Sequence, residues 1–496
     1  MADSKSTDVV VIGAGMGGLA AALSLSARGL QVTVLEAGPR VGGKVDVHIH
    51  EDVEMDTGPS VLTLPHVLSQ ILQQAGTSLE KEFALVEAEP AFRYRFPDGT
   101  LFDVFPRWED TIVSAERAFG KPAARQLDSF MDYARGIWDA SKDTFVLGKA
   151  PKGRDLPMLF AKNPLSLMRV DPFRSMWDAI SDKVKEPRAQ DVLLRYATYN
   201  GSSPYLAPAT LNCIAHVEMG LGMFGVKGGM HEIARVLRRL AEEKGCVFRL
   251  CSPVKKIVVE KKRVCAVVLQ DDERLDTTEV VVNADVAHLT ETLLPESRRA
   301  LPKPGTASLS GHCMLVKARR RPERVAHEVL FPETYKKEFD DLFDGQRPPR
   351  QPTLYLCAQE KAHLRSGWKD HEPVFVMANA PPTGLRSGED EESLARELSQ
   401  TMRSLLVKNR LIDEQDEIVW ERSPRQLADR FLGSRGSIYG AASHGWNAAF
   451  QRPRNRVDGI RGLYLASGTA HPGGGVPLCL QSGRMAAELC AADRVR

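Results

Sequence analysis

The first forty residues place a glycine-rich turn between two short apolar runs. In the run from Asp8 to Ile12, every residue after Asp8 is apolar, which is typical of a buried parallel strand. Gly13 to Gly18 forms the turn, and the small and apolar residues from Leu19 to Ala27 favour a packed helix. Gln31 to Leu35 predicts a second strand, which ends at Glu36. This order predicts the βαβ start of an α/β domain.

Apolar periodicity predicts further elements near the middle of the chain. His231 to Lys244 predicts an amphipathic helix, and strand-like runs follow at residues 247–250, 255–259 and 264–269. Residues 96–200 show helical patterns that are rich in Phe, Trp, Met and Arg and are interrupted by prolines. The chain therefore has room for a second, less regular domain.

Composition and charge exclude several classes of protein. The 496 residues carry 66 basic and 64 acidic side chains, and this balance gives no reason to expect nucleic acid binding. The 8 cysteines include no Cys-x-x-Cys pair, so we expect a reducing compartment and no metal site. Neither a signal-peptide core nor an apolar window long enough to span a bilayer is present. We therefore expect a cytoplasmic protein.

Gly13, Gly15 and Gly18 fulfil the G-x-G-x-x-G pattern between a predicted strand and helix. Gly13 permits the tight turn, Gly15 lets a pyrophosphate approach the backbone, and Gly18 lets the helix and strand pack closely. Glu36 ends the next strand, where its carboxylate can accept hydrogen bonds from a ribose diol and would repel a 2′-phosphate. The pattern predicts a dinucleotide site that disfavours NADP.

A second glycine pair follows the acidic residue. Gly42 and Gly43 lie between Arg40 and Lys44, so an exposed backbone is flanked by two cations. Such a segment can form a second phosphate clamp. The alternative interpretation is a basic surface loop.

Several of these segments together resemble the amine oxidase and phytoene desaturase group of flavoproteins. The resemblance covers Ala37 to Lys44, Asp56 to Ser60, and the strand, glycine turn and helix start from Gly462 to Pro477. It implies a non-covalently bound FAD in a Rossmann-like domain. The further FAD contacts that it implies are Gly58, Pro59, Ser60, Val254, Gly468, Gly475, Val476 and Pro477.

The resemblance also implies an architecture. We expect a discontinuous FAD-binding α/β domain at residues 1–95, 205–285 and 415–496. A mixed α+β substrate domain would take up residues 96–204 and 286–414.

The segment from Gly436 to Pro453 resembles the form found in 1-hydroxycarotenoid 3,4-desaturases. This implies a desaturase that introduces a C3–C4 double bond into 1-hydroxy or 1-methoxy acyclic carotenoids. The alternatives are a phytoene desaturase, an amine oxidase relative, a flavin-dependent carotenoid isomerase without net redox, and a lipid-binding escort protein. The sequence does not identify the electron acceptor.

Desaturation releases a proton, and His444 and His471 are the sequence candidates for accepting it because the pKa of histidine lies near neutrality. The alternative is that both rings hold loop backbone in place. The segment from Gly148 to Trp177 mixes basic and apolar residues, a composition typical of peripheral contact with an anionic membrane, here the inner membrane. The alternative for that segment is a helical domain with a solvated basic face.

Overall fold

The computed structural model of the protein describes residues 7–150, 169–301, 303, 305–445 and 452–495. The strands are β1 (Val9–Ile12), β2 (Val32–Leu35), β3 (Val47–His50), β4 (Val53–Asp56), β5 (Leu85–Val86), β6 (Phe92–Arg95), β7 (Leu101–Val104), β8 (Gly225–Val226), β9 (Val247–Arg249), β10 (Val254–Glu260), β11 (Arg263–Leu269), β12 (Arg274–Asp276), β13 (Glu279–Val282), β14 (Ser310–Arg319), β15 (His327–Leu330), β16 (Leu354–Ala358), β17 (His371–Ala380), β18 (Glu417–Arg422) and β19 (Leu463–Leu465).

The α-helices are α1 (Met16–Ser26), α2 (Pro65–Gln74), α3 (Leu79–Glu82), α4 (Trp108–Phe119), α5 (Lys121–Ser141), α6 (Met176–Lys183), α7 (Pro187–Leu194), α8 (Cys213–Ala215), α9 (His231–Glu243), α10 (Val286–His288), α11 (Tyr335–Phe339), α12 (Gln359–His363), α13 (Gly388–Lys408), α14 (Pro424–Arg430) and α15 (Val476–Arg494). A 3-10 helix at Arg195–Asn200 follows α7 directly, and a π-helical turn occupies His216–Gly220.

Within the described residues, β19, β13, β1, β2 and β9 form a parallel sheet in that order. All four strand pairs are parallel, and β1 lies at the centre between β13 and β2. Its side chains alternate between two cores, because Val9 and Val11 pack towards α1 and Val10 and Ile12 pack towards β10 and β11. The result is a three-layer unit in which the carboxyl end of β1 opens into the glycine turn. The predicted α/β fold is confirmed.

The second large sheet of the described chain runs in the order β18, β14, β17, β16, β15, β6 and β7. Its pairs are antiparallel except for β15 with β6. This mixed sheet takes β6 and β18 from residues that the sequence analysis placed at the edges of the FAD-binding segments. The mixed sheet therefore contains strands that lie a few residues inside the limits expected for the FAD-binding segments, at residues 95 and 415. The division into domains stays a prediction.

Candidate functional site

The glycine turn after β1 leads directly into α1. The Gly13 amide donates to the Leu35 carbonyl (2.8 Å), which holds the turn beside the end of β2. Helix α1 has no side-chain cap and no acidic residue in its first turn within the described structure. Its first amides are thus free to bind an anion, and the helix dipole favours negative charge at this end.

Two glycines of this turn have different structural roles. A Cβ atom on Gly18 would lie 2.0 Å from the Gly13 carbonyl oxygen, so Gly18 permits the close packing of helix and strand. A Cβ atom on Gly15 would lie 2.6 Å from Oδ1 of Asn283, which follows β13. The Asn283 side chain thus packs directly against Gly15, and a larger residue at this position would collide with it.

Glu36 lies beside this turn at the end of β2. Its two carboxylate oxygens accept hydrogen bonds from the Ala14 amide (2.7 Å) and the Gly38 amide (2.8 Å). The side chain stays partly exposed, so each oxygen keeps capacity for a further donor such as a ribose hydroxyl. The Ser252 amide donates to the Glu36 carbonyl (2.8 Å), which brings the segment before Val254 against the same loop.

The second glycine pair brings backbone against the first turn. The Gly42 amide donates to the Ala14 carbonyl (2.8 Å), and Gly43 adopts a positive φ of 62°. The neighbouring cations have protein partners. Arg40 lies 3.5 Å from Asp46. Nζ of Lys44 donates to the backbone carbonyls of Ser437 and Ile438. The phosphate clamp by these two cations therefore stays a prediction.

The segment from Asp56 to Ser60 lies behind this loop. Asp56 is buried and accepts hydrogen bonds from the Met230 amide (2.8 Å) and from Nη2 of Arg365 (3.0 Å), so its role is structural. A Cβ atom on Gly58 would lie 2.1 Å from the Lys44 carbonyl, which brings Gly58 and Pro59 close to the second glycine pair.

The C-terminal segment supplies a second uncapped helix. Strand β19 leads through Gly468 to Gly475, and α15 begins at Val476 with Pro477 in its first turn. As for α1, the described structure shows no side-chain cap and no acid in the first turn of α15. A Cβ atom on Gly474 would lie 2.8 Å from Cα of Tyr439, so the Gly436–Gly445 segment covers this helix start.

Arg452 connects the Gly436–Gly445 segment to the glycine turn that precedes α15. Its guanidinium donates to the carbonyls of Gly468 (3.1 Å) and Ala441 (3.0 Å) and to Oδ1 of Asn200 (2.8 Å). Burial lowers the pKa of Arg452 to about 10 and also lowers the pKa of Lys44. Two desolvated cations thus lie beside the start of α15, where they favour an anionic or electron-rich ligand.

These features fit FAD. The first turn of α1 suits the diphosphate, Glu36 suits the adenosine ribose, and the start of α15 suits the pyrimidine edge of the flavin ring. Glycine at position 15 avoids a collision with Asn283, and the start of α1 has no side-chain cap, so its first amides are available to the diphosphate.

The two predicted proton acceptors are engaged by backbone. Nε2 of His444 accepts the Ser203 amide (3.1 Å), and Nε2 of His471 bonds the Gly148 carbonyl (2.9 Å). Burial lowers the pKa of both rings, so both favour the neutral form. The geometry supports the structural alternative, while their catalytic role remains an untested prediction.

Sequence reasoning missed a buried polar cluster around Glu218. Arg195 lies 3.2 Å from Glu218, and Tyr196 donates to the same carboxylate (2.9 Å). Tyr199 also donates to Glu218, and Nη2 of Arg195 donates to Tyr94 (2.9 Å). A glutamate within an otherwise apolar stretch and the closely spaced tyrosines after Arg195 were the available signals.

Tyr199, Tyr355 and Tyr439 lie around this cluster and are partly exposed. Burial raises the pKa of each phenol. A hydrogen bond from Ser60 lowers the pKa of Tyr355 and so opposes the effect of burial. The charge of Arg195 lowers the pKa of Tyr439, and the charge of Glu218 raises it. Tyr355 therefore lies near the Asp56–Ser60 segment, and Tyr439 lies against Gly474 before the start of α15.

No helix among the described residues is long and apolar enough to cross a membrane. The described chain also contains no group of three or more His, Cys, Asp or Glu residues that could hold a metal ion.

The model of the flavin containing amine oxidoreductase family matches residues 16–491, and the chain belongs to that family. The protein is therefore a flavin-dependent oxidoreductase with FAD as its cofactor.

Known proteins are similar to this chain over nearly its whole length. The chain is 34% identical to a hydroxyneurosporene desaturase of Rubrivivax gelatinosus over 97% of this chain and 92% of that one. It is 31% identical to a 1-hydroxycarotenoid 3,4-desaturase of Flavobacterium sp. (strain P99-3) over 97% and 98% of the two chains. An oxidoreductase from Methanosarcina mazei shares the fold, with a TM-score of 0.63 at 16% identity over 98% and 100%.

Proposed function

We propose that the protein is an FAD-dependent desaturase that introduces a C3–C4 double bond into 1-hydroxylated acyclic carotenoids. The observation that carries the proposal is a group of three partly exposed tyrosines, Tyr199, Tyr355 and Tyr439, beside the two expected flavin-ring segments, Asp56–Ser60 and the start of α15. We expect the substrate cleft at these tyrosines. Similarity to proteins named for this reaction supports the substrate class.

FAD supplies the acceptor for the hydride, and the second hydrogen leaves the substrate as a proton to water. The aromatic side chains of Tyr199, Tyr355 and Tyr439 offer apolar surface that can hold a polyene flat against the ring. Orientation in an enclosed cleft contributes to the rate by keeping the reacting carbons beside the acceptor. Hydride loss next to a conjugated chain makes the neighbouring C–H bond acidic, so the cleft needs no strong base.

An amine oxidase would be expected to carry aromatic side chains beside the flavin, near the C-terminal glycine segment. The sequence from Gly468 to Pro477 lacks aromatic residues, but the fold brings Tyr439 against Gly474. The absence of aromatic side chains near the flavin therefore no longer separates the two activities. The named activities of the relatives favour the carotenoid.

A membrane contact completes the proposal, because a carotenoid resides in the bilayer. Most of the basic and apolar segment that suggested this contact, residues 151–168, lies outside the described residues. Beside it, Phe173 is 76% exposed and Leu206 is 51% exposed. Their loops are joined by hydrogen bonds from Met176 to Ala207 and from Ala209 to Arg174, so the two side chains occupy one edge of the molecule.

The test uses purified, FAD-loaded protein in liposomes. A 1-hydroxylated acyclic carotenoid should lose two hydrogens and shift its absorption to longer wavelength, while phytoene should be left nearly unchanged. Efficient conversion of phytoene would replace the proposal with a phytoene desaturase. A spectral shift without loss of mass would indicate an isomerase and would refute the desaturase.

A further inference from the structure

Arg452 is a desolvated cation whose partners among the described residues are neutral. Nη2 donates to Oδ1 of Asn200 (2.8 Å) and to the Ala441 carbonyl (3.0 Å), and Nη1 donates to the Gly468 carbonyl (3.1 Å). These acceptors carry dipoles and no net charge. Within the described chain, no carboxylate forms an ion pair with Arg452 or acts on its pKa. Such a cation is costly without a counter-ion, because the protein interior screens charge poorly.

The charge of Arg452 persists near neutral pH, although burial lowers its pKa to about 10. The neighbouring titratable group that acts on this pKa is Cys479, near the start of α15. Burial raises the pKa of that thiol to about 11, so Cys479 is neutral and supplies no counter-charge.

Lys44, the other desolvated cation of this region, differs from Arg452 in this respect. Burial lowers the pKa of Lys44, and the charge of Asp285 raises it, so a described carboxylate lies near the ammonium group. Asp285 also accepts the Ala287 amide (2.8 Å) at the start of α10. The uncompensated positive charge of this region is therefore that of Arg452.

Arg452 lies beside the helix start that suits the flavin ring. A Cβ atom on Gly473 would lie 3.1 Å from Cζ of Arg452, so the guanidinium lies against the glycine turn before α15. In the described structure, α15 has neither a side-chain cap nor an acidic residue in its first turn. The helix dipole makes this end of α15 positive. The charge of Arg452 and the helix dipole thus act at the same place and with the same sign.

The proposed function, on which the next step rests, changes the charge of the flavin ring. The substrate loses a hydride and a proton. The hydride brings two electrons and one proton to FAD, and the other proton goes to water, so the ring gains one negative charge. A fixed cation in a region of low dielectric constant stabilises the negative ring over the neutral ring. This attraction between charges requires no free N–H group on the guanidinium.

We propose that Arg452 sets how strongly the bound FAD accepts electrons, because its uncompensated charge stabilises the negatively charged reduced ring and raises the reduction potential. Hydrogen bonds to three separate segments keep the guanidinium in place. Arg452 acts through its charge and takes no part in proton transfer.

The test uses purified, FAD-loaded protein and no carotenoid. Sulfite adds to oxidised flavins as an anion, so its dissociation constant, read from the loss of flavin absorption, reports positive charge near the ring. Arg452→Gln should weaken sulfite binding by about 10-fold to 100-fold, because one nearby charge is lost. The midpoint potential, measured against reference dyes, should fall by about 30–60 mV, which corresponds to the same factor for a two-electron couple.

Arg452→Lys separates the charge from the hydrogen bonds. One ammonium group keeps the charge but does not bridge three segments, so Tm should fall while sulfite affinity and midpoint potential stay near wild type. Arg454→Gln is the matched control, because Arg454 pairs with the exposed Asp458 (2.8 Å). It should leave both redox measurements unchanged. If Arg452→Gln lowers Tm but binds sulfite as wild type does, Arg452 is only structural and the proposal is overturned.

The wild-type protein provides a check that needs no variant. Free FAD takes up two protons with two electrons in mildly acidic solution, whereas a stabilised negative ring takes up one. Between about pH 5.5 and 6.5 the midpoint potential should therefore change by about 30 mV per pH unit, and a change of about 60 mV would overturn the proposal. None of these measurements depends on turnover. Failure to desaturate any carotenoid would refute the proposed function and leave the role of Arg452 intact.

Discussion

Nζ of Lys44 donates a hydrogen bond to the carbonyl of Ser437, 2.7 Å away across 393 positions of sequence. A second bond reaches the Ile438 carbonyl at 3.0 Å. The second glycine pair is thus tied to the segment that covers the start of α15. One ammonium group links the two halves of the FAD site.

Lys44→Met should weaken FAD binding about 10-fold or more, because charge-assisted hydrogen bonds to two buried carbonyls are lost. The Gly436–Gly445 segment should also become more sensitive to protease. Flavin fluorescence titration and limited proteolysis measure the two effects. Lys255→Met is the control, since Lys255 forms an exposed pair with Asp272. Unchanged affinity and unchanged cleavage would contradict this role.

Gly15→Val should abolish FAD binding, because its side chain would enter the space between α1 and Asn283. Gly136→Ala is the matched control, since a Cβ there meets nothing within 4 Å. That control should retain the flavin and stabilise α5 by up to about 1 kcal/mol. Bound flavin after gel filtration and the midpoint of urea unfolding are the measurements. Normal flavin content in the valine variant would show that the first glycine turn does not bind FAD.

Asp191 makes stability depend on pH. Burial raises the pKa of its carboxyl to about 7, so the folded state holds a proton that the unfolded state releases near pH 4. Stability from this group is complete below pH 4 and is lost as the pH rises to 7. Asp191→Asn should therefore raise the free energy of unfolding by about 1–3 kcal/mol at pH 8 and change it little at pH 4. Denaturant melts at both values test this, and an equal effect at both would show that burial is not the cause.

His444→Gln should keep kcat within a few-fold of wild type, because the Gln side-chain oxygen can also accept the Ser203 amide. A general base contributes about 100-fold or more to a rate, so its loss would be obvious. The pH profile of kcat should also be unchanged. A drop above 100-fold in a variant with normal FAD content would make His444 the proton acceptor.

Phe173→Ser combined with Leu206→Ser should weaken binding to anionic liposomes, since both exposed side chains would insert at the bilayer surface. Co-sedimentation with vesicles at low and high salt measures the effect. Val113→Ser on α4, which is 47% exposed, is the control and should bind as wild type. Equal binding by the double variant would exclude this edge as the contact.

The sequence predicted the parts of the site that are local in the chain. Gly15 and Glu36 belong to one βαβ unit, and Val476 begins a helix directly after its glycine turn, so spacing alone located them. Sequence spacing could not predict the partner of Lys44, because only the folded chain brings Ser437 next to it.

Sequence spacing also could not predict which residues lie around the expected cleft. Tyr199 and Glu218 come from two irregular helical turns, and Tyr355 comes from the mixed sheet, so no periodicity connects them. His444 was predicted as a proton acceptor from its usual pKa. Sequence could reveal neither its burial nor the Ser203 amide on its ring nitrogen.

The position of β19 at the edge of the parallel sheet has a consequence for biosynthesis. Its partner β13 also pairs with β1, so strands that are synthesised at widely separated times belong to the same sheet. Helix α15, which packs on α1, follows β19 in the chain. The parallel sheet is incomplete until β19 has been synthesised, and we expect stable capture of the cofactor only after that point.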